Sequence, residues 1–187
     1  MLRVAAVGLL LGLTGCAAVA PRSAAPPAPM VMVPAWSLQG RISVKTGEES
    51  LSGQLQWQHQ RDVDILMLAS PLGQGVAKIV RDASGVVLEV PGEPARQAPT
   101  VEALTEEALG YALPVAGLVY WVQANADPAS RHDITRDDQG RPARISQDGW
   151  TIEYLQYFSD NPGQPRKMKL LREDLEIRLV TDTWQPE

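Results

Sequence analysis

Outside position 16 the sequence has no cysteine. A disulfide framework and thiolate metal sites are thereby excluded. A lone thiol in an exported protein is a hazard unless some reaction consumes it. Histidine occurs only twice. His59 and His132 read as polar strand-end or turn residues, and their spacing fits no metal motif. No stretch is rich in Lys and Arg, and the net charge is −5, so the basic stripe of a nucleic-acid surface is missing. No apolar run approaches the ~20 residues that a membrane-spanning helix needs. Gly73-Gln74-Gly75 lacks the third glycine and the following helix of a phosphate-binding loop. No grouping of serine, histidine and acid suggests a nucleophile. Neither enzymatic activity nor a cofactor is expected.

What is present begins with a leader. Met1-Leu2-Arg3 supplies one positive charge, and the apolar run Val4 to Leu13 leads into Leu13-Thr14-Gly15-Cys16. So short a run fits the apolar core of a signal peptide. A leucine three residues before a cysteine, with small residues between, resembles the lipobox of bacterial lipoproteins. The resemblance implies that the Cys16 thiol takes a diacylglyceryl group, that the leader is cut before it, and that the new amine is acylated. Ala17 stands where enteric lipoproteins carry an aspartate for inner-membrane retention, which implies export to the outer membrane. Ala17 to Pro34 is rich in Ala and Pro without hydrophobic periodicity, and it reads as an extended tether. The expected organisation is a signal peptide over 1–15, acylated cysteine and tether over 16–34, and one folded domain over 35–187.

The domain opens with period-two patterning. Trp36, Leu38, Gly40, Ile42 and Val44 share one face, with Ser37, Gln39, Arg41 and Ser43 on the other. After Thr46-Gly47-Glu48, Leu51, Gly53, Leu55 and Trp57 alternate with Ser52, Gln54, Gln56 and Gln58. Such alternation predicts half-buried strands, and the short turn predicts an antiparallel hairpin. Further strands are expected near 62–69, 75–82, 85–91, 131–138, 141–147, 149–158, 166–172 and 175–184, punctuated by turn residues such as Asp148-Gly149. Ten strands in succession suggest a large antiparallel meander, curled to hide its edges. Two helices interrupt it. Thr100 reads as an N-cap with Val101, Leu104 and Ala108 on one stripe and Gly110 as the stop. Pro114 starts a second helix in its first turn, and Val115 to Val122 carries no charge, so something must bury it on all sides. It can plug or lid the concave side of the sheet.

Two features leave alternatives open. The loop Ser70-Pro71-Leu72-Gly73 places a leucine that either folds back onto the core or protrudes. The inward tryptophans either fill a core or line a cavity, and one phenylalanine is little with which to fill a sheet of this size.

The motifs Trp36-Ser37-Leu38-Gln39-Gly40-Arg41-Ile42-Ser43-Val44, Leu55-Gln56-Trp57-Gln58, Ser70-Pro71-Leu72-Gly73, Leu113-Pro114-Val115 with Leu118, Tyr120-Trp121, Gln147-Asp148-Gly149-Trp150 and Trp184 follow the lipobox in order. Together they resemble the LolB family of outer-membrane lipoprotein receptors across nearly the whole mature chain. The resemblance implies a mainly β fold, an unclosed antiparallel β-barrel of about eleven strands with a helical lid over an apolar cavity. It implies a monomeric receptor on the periplasmic face of the outer membrane. Its partners would be the periplasmic carrier LolA, triacylated lipoprotein cargo and outer-membrane lipid. It further implies that Leu72 protrudes and helps to insert cargo. Trp36, Leu38, Ile42, Leu55, Trp57, Leu118 and Trp121 are the cavity candidates. The short, Pro-rich stretch before Trp36 departs from the family, whose first helix is expected to be brief or missing here. A lipoprotein that binds another lipid, or a structural envelope module, is the alternative.

Overall fold

The computed structural model describes residues 31–72 and 75–187. Cys16, the leader and nearly all of the tether lie outside them, as does Gly73. Eleven strands and two helices follow in order. These are β1 (Ala35–Thr46), β2 (Glu49–Gln60), β3 (Val63–Ala69), β4 (Gly75–Asp82), β5 (Gly85–Glu89), β6 (Arg96–Ala98), α1 (Val101–Leu109), α2 (Val115–Trp121), β7 (His132–Arg136), β8 (Pro142–Gln147), β9 (Trp150–Tyr157), β10 (Pro165–Arg172) and β11 (Leu175–Pro186). They form one sheet in the order β6-β5-β4-β3-β2-β1-β11-β10-β9-β8-β7. Every pairing is antiparallel, and the sheet is unclosed, with β6 and β7 as its two edges.

Period-two patterning decides which face is inward. On β1 and β2, Trp36, Leu38, Leu55 and Trp57 are buried, and Gln39, Arg41, Gln54 and Gln56 are exposed. Trp57 stands opposite Leu38, and Leu55 opposite Gly40. Leu51 shares this inward face but is 55 % exposed. The reason is register: β3 begins to pair at Gln54–Ala69, so the β1–β2 hairpin overhangs its neighbour by several residues. Val31–Pro34 is not helical.

The helices follow the capping expectations in part. Thr100 Oγ1 accepts a hydrogen bond from the Ala103 N–H at 3.1 Å, and Gly110 ends α1 in the left-handed conformation. Pro114 is the N-cap of α2 rather than a residue of its first turn, and Val122 is the C-cap. One strand has no sequence signal. Arg96–Ala98 is three residues long, shows no alternation, and is held as a strand by its pairing with β5.

Gly40 marks a steric requirement. Between Gln39 and Gly40 the β1–β11 register slips so that Asp182 is an extra residue on β11. A Cβ on Gly40 would stand 2.2 Å from the Val180 carbonyl oxygen, which is backbone and cannot swing away. Gly40→Ala should therefore force the first and last strands apart and destabilise the fold by about 2–3 kcal/mol. A urea midpoint that falls at unchanged slope is the expected reading, and an unchanged midpoint contradicts the assignment.

Candidate functional site

The inside of the curled sheet is not uniform. Toward β8–β10 it is packed: Ile145, Ile152 and Leu170 are fully buried, with Trp121 and Trp150 beside them. Toward β1–β5 it is hollow. A cavity of about 280 Å³ lies there, lined from the sheet by residues such as Ile42, Leu55, Trp57, Leu66, Ile79 and Leu179. The helices and their linker supply Ala108, Leu113, Val115 and Leu118.

Several lining residues also reach solvent: Leu51 on the β1–β2 hairpin, and Glu93 and Arg96 at the β5–β6 turn. They mark the mouth. Ala69, the last residue of β3, lines the cavity too. Three residues further on stands Leu72, in the turn after β3, with its side chain 90 % exposed. Gln54 Nε2 donates to the Pro71 carbonyl at 3.5 Å beneath it.

Of the sequence candidates, Ile42, Leu55, Trp57 and Leu118 line the cavity. Trp36, Leu38 and Trp121 are buried but lie outside the lining. Trp36 stacks on Trp184 with centroids 4.6 Å apart and meets Trp57 edge-on at 4.9 Å. Trp121 anchors α2. Its indole N–H donates to Gln147 Oε1 at 2.8 Å, and its carbonyl accepts the Tyr154 hydroxyl at 2.9 Å. Gln164 Nε2 donates to the next carbonyl, that of Val122, at 2.8 Å. Gly117 is the space into which the Trp121 ring packs, since a Cβ there would stand 2.6 Å from the ring.

In hydrogen bonds to the sheet the fixing of α1 is lighter. Thr105 donates to the Val101 carbonyl and accepts from the Leu113 N–H, both at 2.9 Å, which ties the linker down. Glu102 accepts from the Ala116 N–H at 3.3 Å. The sheet elements that α1 packs against are β5 and β6.

A buried polar cluster escaped the sequence reading. His59, expected at a polar strand end, is 5 % exposed. Its Nδ1 lies 2.8 Å from Asp64 Oδ1, which also accepts the Trp57 indole N–H at 2.8 Å. Asp64 Oδ2 accepts Arg81 Nε at 2.6 Å, and the Arg81 Nη2 bonds the same oxygen. Alternation was the available signal, because His59 continues the face of Leu55 and Trp57, and Asp64 that of Leu66. Burial pushes the Asp64 carboxyl up. The His59 bond, the Arg81 charge and the Trp57 bond together outweigh it and hold the group below its ordinary 3.8.

Among the described residues no cluster of His, Cys, Asp and Glu is placed to hold a metal. The chemistry that the lining offers is shelter for an apolar ligand.

Residues 34–184 match the family model described as outer membrane lipoprotein LolB. A curated relative, the outer-membrane lipoprotein LolB of Thiobacillus denitrificans, is 56 % identical over 99 % of this chain and 98 % of its own. That of Pseudomonas fluorescens is 40 % identical over 81 % of this chain and 74 % of its own. Among solved structures, a LolA superfamily protein from Nitrosomonas europaea superposes with a TM-score of 0.54 at 10 % identity, covering 86 % of this chain and 88 % of the other. A DUF1329 family protein from Desulfovibrio piger gives 0.57 at 7 % identity, covering 83 % and 86 %. These two likenesses concern the fold alone.

Removing the Asp64 charge leaves the half-buried Arg81 guanidinium without its counter-charge, so Asp64→Asn should lower stability by about 1–3 kcal/mol at pH 7. The sign with pH follows from the depressed folded-state value. The stabilisation is full above the unfolded value near 3.8 and is lost as the pH falls through the folded one. Urea titrations of both proteins should show the gap closing below about pH 4; a gap constant from pH 7 to 3 contradicts the charge's role.

Proposed function

The chain belongs to the LolB family of outer-membrane lipoproteins, and we propose that it is a receptor that takes acylated lipoproteins from the carrier LolA and places them in the inner leaflet of the outer membrane. In this reading residues 1–15 are removed, acylated Cys16 anchors the protein on the periplasmic face, and 16–34 tether the domain that begins at residue 35. The observation that carries the reading is an apolar cavity roofed by helices whose mouth lies beside exposed Leu72.

The cargo chemistry fits such a site. Acyl chains gain about 0.8 kcal/mol per methylene removed from water, so three chains need a large, adaptable apolar shelter. The cavity of about 280 Å³ is at the small end of ligand pockets, so loading requires the roof to yield. The lightly held α1 is the part that gives way, while α2 stays fixed through Trp121, Val122 and their partners. Transfer in one direction needs no nucleotide: about 1.4 kcal/mol of preference for each successive acceptor gives a tenfold bias.

Leu72 is the membrane contact in this scheme. Burying one leucine contributes about 1.5–3 kcal/mol, too little to anchor a protein yet enough to dip a loop reversibly into a bilayer. Leu72→Glu should leave folding and uptake from the carrier intact while slowing release into liposomes. Loading from the carrier, followed by transfer to vesicles, reads both steps. A wild-type rate of release removes Leu72 from the membrane step; failure of the wild type to take cargo removes the receptor role and leaves another lipid as ligand.

The anchor is checked separately. Intact mass of the membrane-extracted protein should give a chain beginning at Cys16 with diacylglyceryl and amide-linked acyl groups. An unmodified cysteine, or cleavage elsewhere, refutes it.

A further inference from the structure

The lining of the cavity carries charge at one place, on its lip. Glu93 and Arg96 are its charged lining residues, and they meet each other at 3.0 Å across the β5–β6 turn. Register explains why an arginine points inward there. In an antiparallel pair, residues directly opposite share a face. Arg96 stands opposite Leu88 and Ala98 opposite Val86, and both partners are buried on the concave side. Gln97, opposite Val87, takes the other face.

We infer that Arg96 and Glu93 hold the head of the acylated ligand, with Arg96 donating to the ester and amide carbonyls of a diacylglyceryl, N-acylated cysteine and Glu93 accepting its amide N–H. The inference rests on the receptor reading above and adds to it where the head sits and which head is preferred. A ligand whose chains fill the cavity must leave its head at the mouth, and that head is uncharged and rich in carbonyl acceptors. Acceptors brought against an apolar lip lose water, and each needs a donor. The guanidinium has five N–H donors, and among the described residues one bond, to Glu93, is its hydrogen bonding. The other polar groups of the lining, Ser52, Thr105 and Tyr111, are uncharged. Thr105 is committed to Val101 and Leu113. Tyr111 stays a neutral donor, because burial and then Glu49 raise its hydroxyl above the ordinary value.

The pairing also sets a preference. A free fatty acid would bring its carboxylate to Arg96 with the Glu93 carboxylate beside it, so an esterified head is favoured over an acid. An inward charge on an edge strand also discourages other strands from adding to that edge. That role would operate with or without ligand, and the experiment separates the two.

The test uses the mature full-length protein in lipid nanodiscs, titrated with three fluorescent probes. They are a triacylated lipopeptide, a free fatty acid of the same chain length, and a hydrocarbon with no head. Arg96→Met should weaken lipopeptide binding about tenfold, the size expected for a lost charge-assisted hydrogen bond, and leave the hydrocarbon within about twofold. Arg96→Lys, which keeps donors and charge, should hold the lipopeptide within about threefold of wild type. Glu93→Gln should narrow the preference for lipopeptide over acid. Unchanged lipopeptide affinity in Arg96→Met overturns the inference. So does an equal loss for lipopeptide and hydrocarbon, which assigns Arg96 to the integrity of the edge. If wild type binds the hydrocarbon but not the lipopeptide, the receptor reading falls and the inference with it; loss confined to the variant's lipopeptide binding supports both.

Discussion

First strand pairs with last. β1 runs beside β11 from Trp36 opposite Pro186 to Thr46 opposite Leu175, and this contact joins two meanders into one curved sheet. β2 to β6 hang from one side of it and β10 to β7 from the other. The seam is reinforced at the end away from the mouth. Trp184 stacks on Trp36, and the Glu187 N–H donates to the Ala35 carbonyl. Gly40 lets the strands close where Asp182 bulges. Without the seam neither half has a second wall, and no hollow could exist between sheet and helices.

A hollow in a protein is costly, because lining atoms lose contacts that a packed interior provides. The fold confines that cost to one half. The part built on β8–β10 is packed with buried side chains, and Gln147 bonds the Trp121 indole, the Asp127 backbone and the Ser130 hydroxyl. On the hollow side the strands are stiffened from beneath. Asp64 gathers Trp57, His59 and Arg81, so that Trp57, a wall of the cavity, is fixed by a hydrogen bond on the side that faces away from any ligand. In the proposed scheme a rigid sheet and a yielding α1 divide the labour of admitting long chains and giving them up again.

In the proposed transfer, direction follows from placement. Mouth, overhanging hairpin and Leu72 loop share one end of the barrel, and the aromatic stack closes the other. A chain leaving the cavity at that end would pass Leu51, which is apolar and half in water, before reaching the loop. The ion pair of Glu93 and Arg96 stands on the lip at this same end.

Local pattern alone determined a good deal of this protein. Alternation on β1 and β2 set their inward faces, Thr100 and Gly110 bounded α1, and turn pairs such as Asp148-Gly149 divided the later strands. These signals are local because backbone conformation and side-chain direction repeat every two or 3.6 residues. Only the assembled fold decided the rest. Arg96–Ala98 is a strand because β5 offers it partners, not because of its own residues. Alternation points His59 and Asp64 inward, but whether they can be buried depends on Arg81, which strand pairing sets directly opposite Asp64. Trp36, Leu38 and Trp121 pack while Ile42, Leu55, Trp57 and Leu118 line space, although all seven read alike as inward apolar residues. Direction is a property of one strand or helix; whether the volume it points into is filled depends on side chains brought there from the whole length of the chain.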